Sequence, residues 1–220
     1  MTARIAQLWR FPVKSMAGEP LAEADVYWHG IRGDRRYALV QPELVHSDFP
    51  WLTIRERAEL VGYRPRLLDP ERPDDSRVAV KTPAGEELDV VELAERLGAH
   101  SIKLNRGAFD SAPLSLISLG TVGELDPRRF RMNLVVDAPA AFAEDAWIGR
   151  TLRIGGLRLR VDRPDSRCTI ITTDPDTGVR DPAILKQYGR VHNACAGVYC
   201  SVVEPGVVAV GDEVIVEDGA

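Results

Sequence analysis

Short runs of aliphatic and β-branched residues, each closed by glycine or proline, recur along this chain and limit the folds open to it. The 220 residues include 18 Gly and 15 Pro, spread without repeats or low-complexity tracts. Such spacing is typical of short strands that end at turns, and open strand edges invite association unless a sheet curls closed. The predicted fold class is mainly β with a few short helices, arranged as closed or partly closed barrels. The runs in the second half are "MNLVVDA", "TLRIGGLRLRVDR", "CTIITT", "AGVYCSVVEPG" and "VVAVGDEVIVE".

The first half carries the same signals. "ARIAQLWRFPV" predicts a strand, and "AEADVYWHGIRGDRRYALVQ" predicts two, the first ending around Trp28 and the second starting at Tyr37. "VAVKTPAGEELDV" predicts a hairpin with residues 83–85 at its tip. Residues 53–61 fit either a helical turn or a strand with charged faces. Near the C-terminus, "VVEPGVVAVGDEVIV" predicts edge strands that fold back at Pro205-Gly206 and Gly211-Asp212.

Helical periodicity is confined to two segments. In "DVVELAERLGA" the apolar residues recur at helical spacing, Asp89 is a candidate N-cap, and Gly98 stands where a terminating glycine belongs. A second short helix is predicted over "LGTVGELDPRRF", with Ser118 as its N-cap.

Length and charge exclude several classes of protein. A chain of 220 residues forms one or two domains. The net charge of −5 disfavours a general grip on nucleic acid or on an anionic membrane. Three cysteines do not make a disulfide framework, and the N-terminal segment lacks a signal-peptide core, so we expect a cytoplasmic protein with neither a nucleic-acid nor a membrane partner.

Cys168 is the residue most open to two interpretations. It lies between Arg163 and Arg167 on one side and a Thr-Thr-Asp segment on the other, and neighbouring cations favour the thiolate that binds soft metals. The alternative is a small buried apolar residue at a strand start. The spacing of His192, Cys195 and Cys200 resembles part of a zinc site but lacks a fourth ligand.

Sequence signatures of dinucleotide enzymes, nucleotide triphosphatases and α/β-hydrolases are absent. Four short segments instead combine groups that bind anions. Each alone is typical of a solvated surface, and together they indicate a site that holds an anionic ligand. They are "PVKS" with Lys14 and Ser15, "GDRRY" with Arg35 and Arg36, "FDSAP" with Asp110 and Ser111, and "RFRMN" with Arg129, Arg131 and Asn133.

In this order, and followed by "AEDAW" and "SRCTIITTDPDTG", these segments resemble the MOSC domain proteins, named for the C-terminal domain of molybdenum cofactor sulfurases. The resemblance extends to the N-terminal β domain found in the mitochondrial amidoxime-reducing component and its bacterial relatives. It implies an N-terminal β-barrel-like domain over residues 1–105 and a MOSC β-barrel domain over 106–220, packed together around one cofactor site.

The resemblance also implies the contents of that site. The cofactor would be the molybdenum cofactor, a molybdopterin, with Cys168 as the catalytic residue that gives its thiolate to molybdenum. Met132 stands where the family has proline, and Ala112 where it often has a second hydroxyl, which predicts one donor fewer. The residues implied to hold the pterin and its phosphate are Lys14, Ser15, Arg35, Ser111, Arg131, Asn133 and Ser166, with Asp110 and Tyr199 as further members.

Two functions follow from this resemblance. The first is an oxidoreductase that removes oxygen from a small N-hydroxylated or N-oxide-type substrate. Because the sequence ends without a ferredoxin-like domain, its electrons are expected from a separate redox protein. The alternative is a non-catalytic carrier that delivers the cofactor to other enzymes. The sequence also lacks the pyridoxal-phosphate domain expected of a complete sulfurase.

Overall fold

The computed structural model describes residues 3–217 and is mainly β. Its helices are α1 (Val90–Arg96), α2 (Leu119–Val122) and α3 (Pro182–His192), and 3₁₀ turns cover Pro42–Leu44, Ala58–Gly62, Pro127–Phe130, Ala143–Trp147 and Thr169–Thr172. The strands are β1 (Arg4–Arg10), β2 (Glu19–Leu21), β3 (Glu23–Tyr27), β4 (Gly30–Ile31), β5 (Tyr37–Val40), β6 (Arg64–Leu67), β7 (Val78–Lys81), β8 (Glu87–Asp89), β9 (His100–Lys103), β10 (Leu114–Ser118), β11 (Leu134–Asp137), β12 (Thr151–Ile154), β13 (Leu157–Ser166), β14 (Cys195–Glu204), β15 (Gly206–Ala209) and β16 (Val214–Glu217).

One large sheet dominates the molecule. It contains eight strands in the order β16-β12-β13-β14-β10-β11-β1-β2, and it curls into a half-barrel. Neighbouring strands are antiparallel except β10 and β11, which are parallel. Smaller sheets contain β15-β3-β4, β5-β9 and β6-β7-β8. The predicted fold class of mainly β structure with short helices is confirmed.

The two ends of the sequence are interleaved in these sheets. β1 pairs with β11 in the large sheet, and β15 pairs with β3. Backbone hydrogen bonds therefore join strands from both sides of residue 105, where the sequence predicts a domain boundary. That boundary stays a prediction.

Three apolar clusters form the core. One, including Leu8, Leu116 and Val198, fills the half-barrel. A second packs the smaller sheets of the first half against α1, and a third packs α3 and Phe130 against the outer side of β10 and β11. The longest helix, α3, has 11 residues, and no helix within residues 3–217 has the length and apolarity needed to span a bilayer.

Local predictions have mixed outcomes. The Asp89 carboxylate accepts a hydrogen bond from Val91 N at 2.9 Å, Gly98 adopts a left-handed φ of 69°, and the 78–89 hairpin forms as predicted. Within residues 53–61, the structure has a 3₁₀ turn from Ala58 and no strand, which is closer to the helical alternative than to the strand. At the C-terminus the chain turns as predicted, but β15 and β16 join different sheets.

Two predictions were wrong. The helix predicted over residues 119–130 begins at the Ser118 cap but ends after Val122, because Gly123 turns the chain with a φ of 63°. The "CTIITT" segment is a 3₁₀ turn and not a strand, because the Thr172 hydroxyl donates to Thr169 O at 2.7 Å and closes the turn. α3 was not predicted; Asp181 caps it by accepting from Ala183 N.

Candidate functional site

A cavity of about 220 Å³ opens between the strand ends of the two halves of the chain. All ten site residues implied by the resemblance line it, whereas Arg36 and Arg129, from the same anion-binding segments, do not. Lys14 and Ser15 follow β1, Arg35 precedes β5, Asp110 and Ser111 precede β10, Arg131 and Asn133 precede β11, Ser166 ends β13, Cys168 follows it, and Tyr199 lies on β14.

Three of these residues have a left-handed backbone. φ is 68° at Ser15, 50° at Arg35 and 55° at Arg131. A side chain with a Cβ adopts this conformation at a cost of about 1 kcal/mol or more. Such strain persists where surrounding contacts impose the conformation. Here the left-handed backbone directs the guanidinium groups of Arg35 and Arg131 into the same cavity.

Asp34 anchors the floor of the cavity. It is fully buried, its carboxylate accepts from Phe11 N at 2.7 Å and from Asn133 Nδ2 at 3.1 Å, and it forms a short ion pair with Arg35. Arg35 Nη2 also donates to Arg131 O at 2.9 Å. These contacts tie segments about 100 residues apart into one fixed arrangement.

Arg131 and Arg167 each bring to the cavity a buried nitrogen that lacks a hydrogen-bond partner among residues 3–217, and Arg131 is the more informative of the two. Its Nη2 is buried and has no hydrogen-bond partner among residues 3–217, while its guanidinium stacks on Phe11 at 4.5 Å. Burial, together with the nearby charge of Arg35, lowers the pKa of Arg131 to about 9. An anion placed beside Nη2 would supply the missing acceptor and stabilise the charge.

A second cluster of charged side chains, formed by Lys14, Asp110 and Arg55, lies beside Cys168. Lys14 Nζ donates to Ala108 O at 2.9 Å and forms a short ion pair with Asp110. Asp110 Oδ2 lies 3.7 Å from Arg55 Nη2, and the same Nη2 donates to Cys168 Sγ over 3.5 Å. The sulfur that the resemblance implies as the metal ligand thus has a charged hydrogen-bond donor beside it.

The pKa values in this second cluster follow from burial and charge. Burial lowers the pKa of Lys14 because it outweighs the opposing effect of Asp110. Burial alone would raise the pKa of Asp110, but Lys14, Arg55 and Arg35 outweigh it and hold that pKa below its usual value. Asp110 is therefore a carboxylate at neutral pH.

The opposite wall contains Asp165, Arg167 and Tyr199. Arg167 forms a short ion pair with buried Asp165 and donates to Phe130 O at 2.6 Å. Burial raises the pKa of Asp165, and burial with the charge of Asp165 raises the pKa of Tyr199 to about 12. Tyr199 thus presents a neutral hydroxyl to the cavity.

The two residues that depart from the family pattern, Met132 and Ala112, differ in whether they line the cavity. Met132 is 1% exposed and packs in the cluster beneath β10 and β11, so it takes no part in lining the cavity. Ala112 does line the cavity and brings no hydroxyl to it.

Sequence reasoning missed several lining residues, namely Thr53, Arg55, Phe109, Ser115, Phe130, Asp165 and Ile170. Arg55 belongs to a segment whose structure the sequence left open, and nothing in its local pattern marks it. Asp165 could have been found, because it directly precedes the Ser166 and Cys168 motif.

The His192, Cys195 and Cys200 spacing does not form a metal site. His192 stacks on Phe142 and pairs with Asp145 at 2.7 Å, while Cys200 is fully buried on β14, and burial raises its pKa. Across residues 3–217, no group of three or more His, Cys, Asp or Glu side chains converges as a metal centre would require.

The residues present fit a cofactor that carries both a phosphate and a soft metal. Five cationic side chains and two carboxylates line the cavity, which leaves a local excess of positive charge. The unpartnered Arg131 Nη2 calls for an anionic acceptor, and the Cys168 sulfur is a soft ligand within the same cavity.

Comparisons with known proteins identify the family of the chain. The MOSC domain model matches residues 88–215, and the MOSC N-terminal beta barrel domain model matches residues 2–111. Mitochondrial amidoxime-reducing component 1 from Homo sapiens is 26% identical, and the match covers 96% of this chain and 82% of that protein. Molybdenum cofactor sulfurase 3 from Aedes aegypti is 39% identical over 79 residues, covering 35% of this chain and 10% of that protein.

A solved structure shares the fold. The crystal structure of the YuaD protein from Bacillus subtilis has a TM-score of 0.53 and 17% identity, covering 100% of this chain and 98% of that one. With two family models that together match almost the whole sequence, the chain belongs to the MOSC domain family and carries the MOSC N-terminal beta barrel domain.

Proposed function

We propose that this protein binds the molybdenum cofactor, with Cys168 as the protein ligand to molybdenum, and acts as an oxidoreductase on small N-hydroxylated or N-oxide-type substrates. The observation that carries the proposal is the convergence of Cys168 and the unpartnered Arg131 guanidinium in one cavity rich in positive charge. The family relation to amidoxime-reducing components and cofactor sulfurases supports a molybdenum-related role.

Charged, hydroxyl and amide side chains would each contribute hydrogen bonds to the cofactor. Arg131, Arg35 and Lys14 would bind its phosphate and pterin through charge-assisted hydrogen bonds, each worth about 1.5 to 3 kcal/mol. Ser15, Ser111 and Ser166 add hydroxyl groups, and Asn133 adds an amide already oriented by Asp34. Four or five such bonds offset an association cost of about 4 to 15 kcal/mol, so no covalent attachment is needed.

Around the sulfur, the chain's own residues set charge and access. Arg55 holds Cys168 Sγ by its hydrogen bond, and Asp110 holds Arg55. The bound cofactor supplies two-electron chemistry, in which an N-hydroxyl group, two electrons and two protons give an N–H group and water. The proposed source of the electrons is a separate redox protein. We also propose a cytoplasmic location, without a nucleic-acid or membrane partner.

The test uses protein made in a host that synthesises the cofactor, with wild type beside Cys168→Ser. Molybdenum and pterin are measured after dialysis, and benzamidoxime turnover is measured with a chemical reductant. The proposal expects near-stoichiometric molybdenum and turnover in wild type, with both lost in the variant while its unfolding midpoint stays close to that of wild type. The matched control is Cys195→Ser, a half-buried thiol outside the cavity lining, which keeps both.

The outcomes separate the alternatives. Wild type that holds molybdenum and pterin, shows no turnover, and transfers the cofactor to an apo-enzyme would replace the oxidoreductase by a carrier. Wild type without molybdenum and pterin would contradict cofactor binding itself.

A further inference from the structure

A second cavity of about 270 Å³ lies behind the cofactor cavity, on the other side of Arg131 and Ile170. Those two residues line both cavities, but Cys168 and the serines of the first cavity do not line the second. The second cavity has no place in the proposed reaction.

Its walls are apolar and partly aromatic. Trp9 and Phe11 face it together with Ile54 and Val61. The Trp9 indole is held in place because its Nε1 donates to Gln7 Oε1 at 2.9 Å. Phe11 lies directly against Gly18, where an added Cβ would come 2.6 Å from the ring. Two fixed rings thus form a wall suited to a flat apolar group.

The charged side chains that line the second cavity are all cationic. Arg64, Arg128, Arg129 and Arg131 line the cavity, and no carboxylate of residues 3–217 does so. The acidic partners of these arginines stand outside the lining: Asp176 contacts Arg64 and Arg128, Asp126 also contacts Arg128, and Asp174 contacts Arg129. The interior therefore favours an anion.

Two polar atoms at this cavity lack partners. Thr173 is 2% exposed, and its Oγ1 forms no hydrogen bond within residues 3–217; the same holds for Arg131 Nη2. Buried polar groups without partners destabilise a protein unless a ligand or water satisfies them. Thr173 can donate to an anionic oxygen, and this hydroxyl remains available when Arg131 is engaged by a ligand in the first cavity.

We propose that this second cavity is a binding site for a small aromatic carboxylate, with the ring against Trp9 and the neighbouring apolar side chains and the carboxylate near Thr173 and the arginines. The site is independent of the proposed reaction. Through Arg131, which borders both cavities, its ligand would also contact a residue of the cofactor site.

The experiment measures 2-naphthoate binding by titration calorimetry on wild-type protein from a cofactor-producing host. 2-Naphthamide, which has the same ring and no charge, is the matched probe. We expect saturable binding of one naphthoate per chain. The affinity for the amide should be lower by about tenfold or more. The indole N–H resonance of Trp9 should shift on addition of naphthoate.

Variants locate the ligand. Thr173→Val keeps the shape and should weaken naphthoate binding about fivefold. Arg64→Gln should weaken it severalfold, whereas Arg66→Gln, two residues along the same exposed face of β6 and paired with Glu87, should leave it unchanged. Ala17→Leu narrows the cavity and should abolish binding.

Several results would overturn the proposal. They are no saturable binding up to about 1 mM naphthoate, equal affinity for the amide, or equal affinities in the Arg64→Gln and Arg66→Gln proteins. Loss of binding in Ser111→Ala, a residue that lines the first cavity and not the second, would place the probe outside the second cavity and reject the second site. None of these results depends on cofactor turnover, so failure here is distinguishable from failure of the proposed function.

Discussion

The Arg55 guanidinium donates a hydrogen bond to Cys168 Sγ over 3.5 Å, although 113 residues separate the two along the chain. The same guanidinium faces Asp110, which is paired with Lys14. The sulfur therefore stands at the end of a continuous set of charged contacts rather than in an apolar pocket. This environment differs from that of Cys200, which is fully buried in the apolar cluster of the half-barrel.

Replacing Arg55 should slow the chemistry of Cys168. In cofactor-free protein, Arg55→Gln should lower the rate of iodoacetamide alkylation at Cys168 about three- to tenfold at neutral pH, because the thiolate loses its cationic donor. Mass spectrometry of the Cys168 peptide gives the rate separately from Cys195. The control is Arg57→Gln, which removes a nearby arginine that does not line the cavity. Equal rates in wild type and Arg55→Gln would show that the contact does not stabilise the thiolate.

Replacing Asp34 should destabilise the folded protein. Asp34→Asn keeps the shape but leaves the Arg35 charge without its buried partner, so the free energy of unfolding should fall by about 3 kcal/mol. Urea denaturation measures the change. The matched control is Asp25→Asn, whose side chain is 54% exposed and pairs with Arg32, and it should change stability by less than about 1 kcal/mol. A similar small change at both positions would mean that the Asp34 network does not hold the site together.

Local signals in the sequence predicted local structure well. α1 was predictable because its cap, its apolar spacing and its terminating glycine all lie within ten residues. The convergence of the ten predicted residues in one cavity was predictable because their motifs occur in the family's order, and most of them lie beside a strand end. Their roles stay a prediction.

Long-range relations were not predictable from one sequence. The pairing of β15 with β3 joins segments that share no pattern, and Arg55 reaches Cys168 only after both turns are folded. The "CTIITT" run is rich in β-branched residues, but side-chain to backbone bonding from Thr172 outweighs that preference. Tertiary contacts decide these features, and they leave no mark in the neighbouring residues.

The cap of α1 gives a pH-dependent prediction. The hydrogen bond from Val91 N, together with Arg77, holds the pKa of Asp89 below its usual value. A lowered folded-state pKa contributes stability above the unfolded-state value near about 3.9, and this is lost as pH falls through the folded-state pKa. Asp89→Ala should therefore cost about 1 kcal/mol at neutral pH, and the cost should shrink as pH falls below the unfolded-state pKa.

Urea denaturation at several pH values measures this difference for Asp89. The control is Glu92→Ala, which removes an exposed carboxylate of the same helix without removing a cap. A cost for Asp89→Ala that stays constant with pH would show that its charge contributes nothing to the cap.

At Arg131 the side chain should bind the cofactor, while the left-handed backbone should lower the stability of the folded protein. Glycine and alanine substitutions separate these two effects. Its φ of 55° favours glycine, so cofactor-free Arg131→Gly should be more stable than Arg131→Ala by about 1 kcal/mol in urea denaturation. At Arg66, in extended β6, the order should reverse, because glycine there only adds freedom to the unfolded chain.

Both Arg131 variants should lose pterin on dialysis to the same extent, since both lack the guanidinium. Equal stability of the Gly and Ala proteins would mean that the left-handed turn carries no strain, and pterin retained by either would mean that Arg131 does not hold the cofactor.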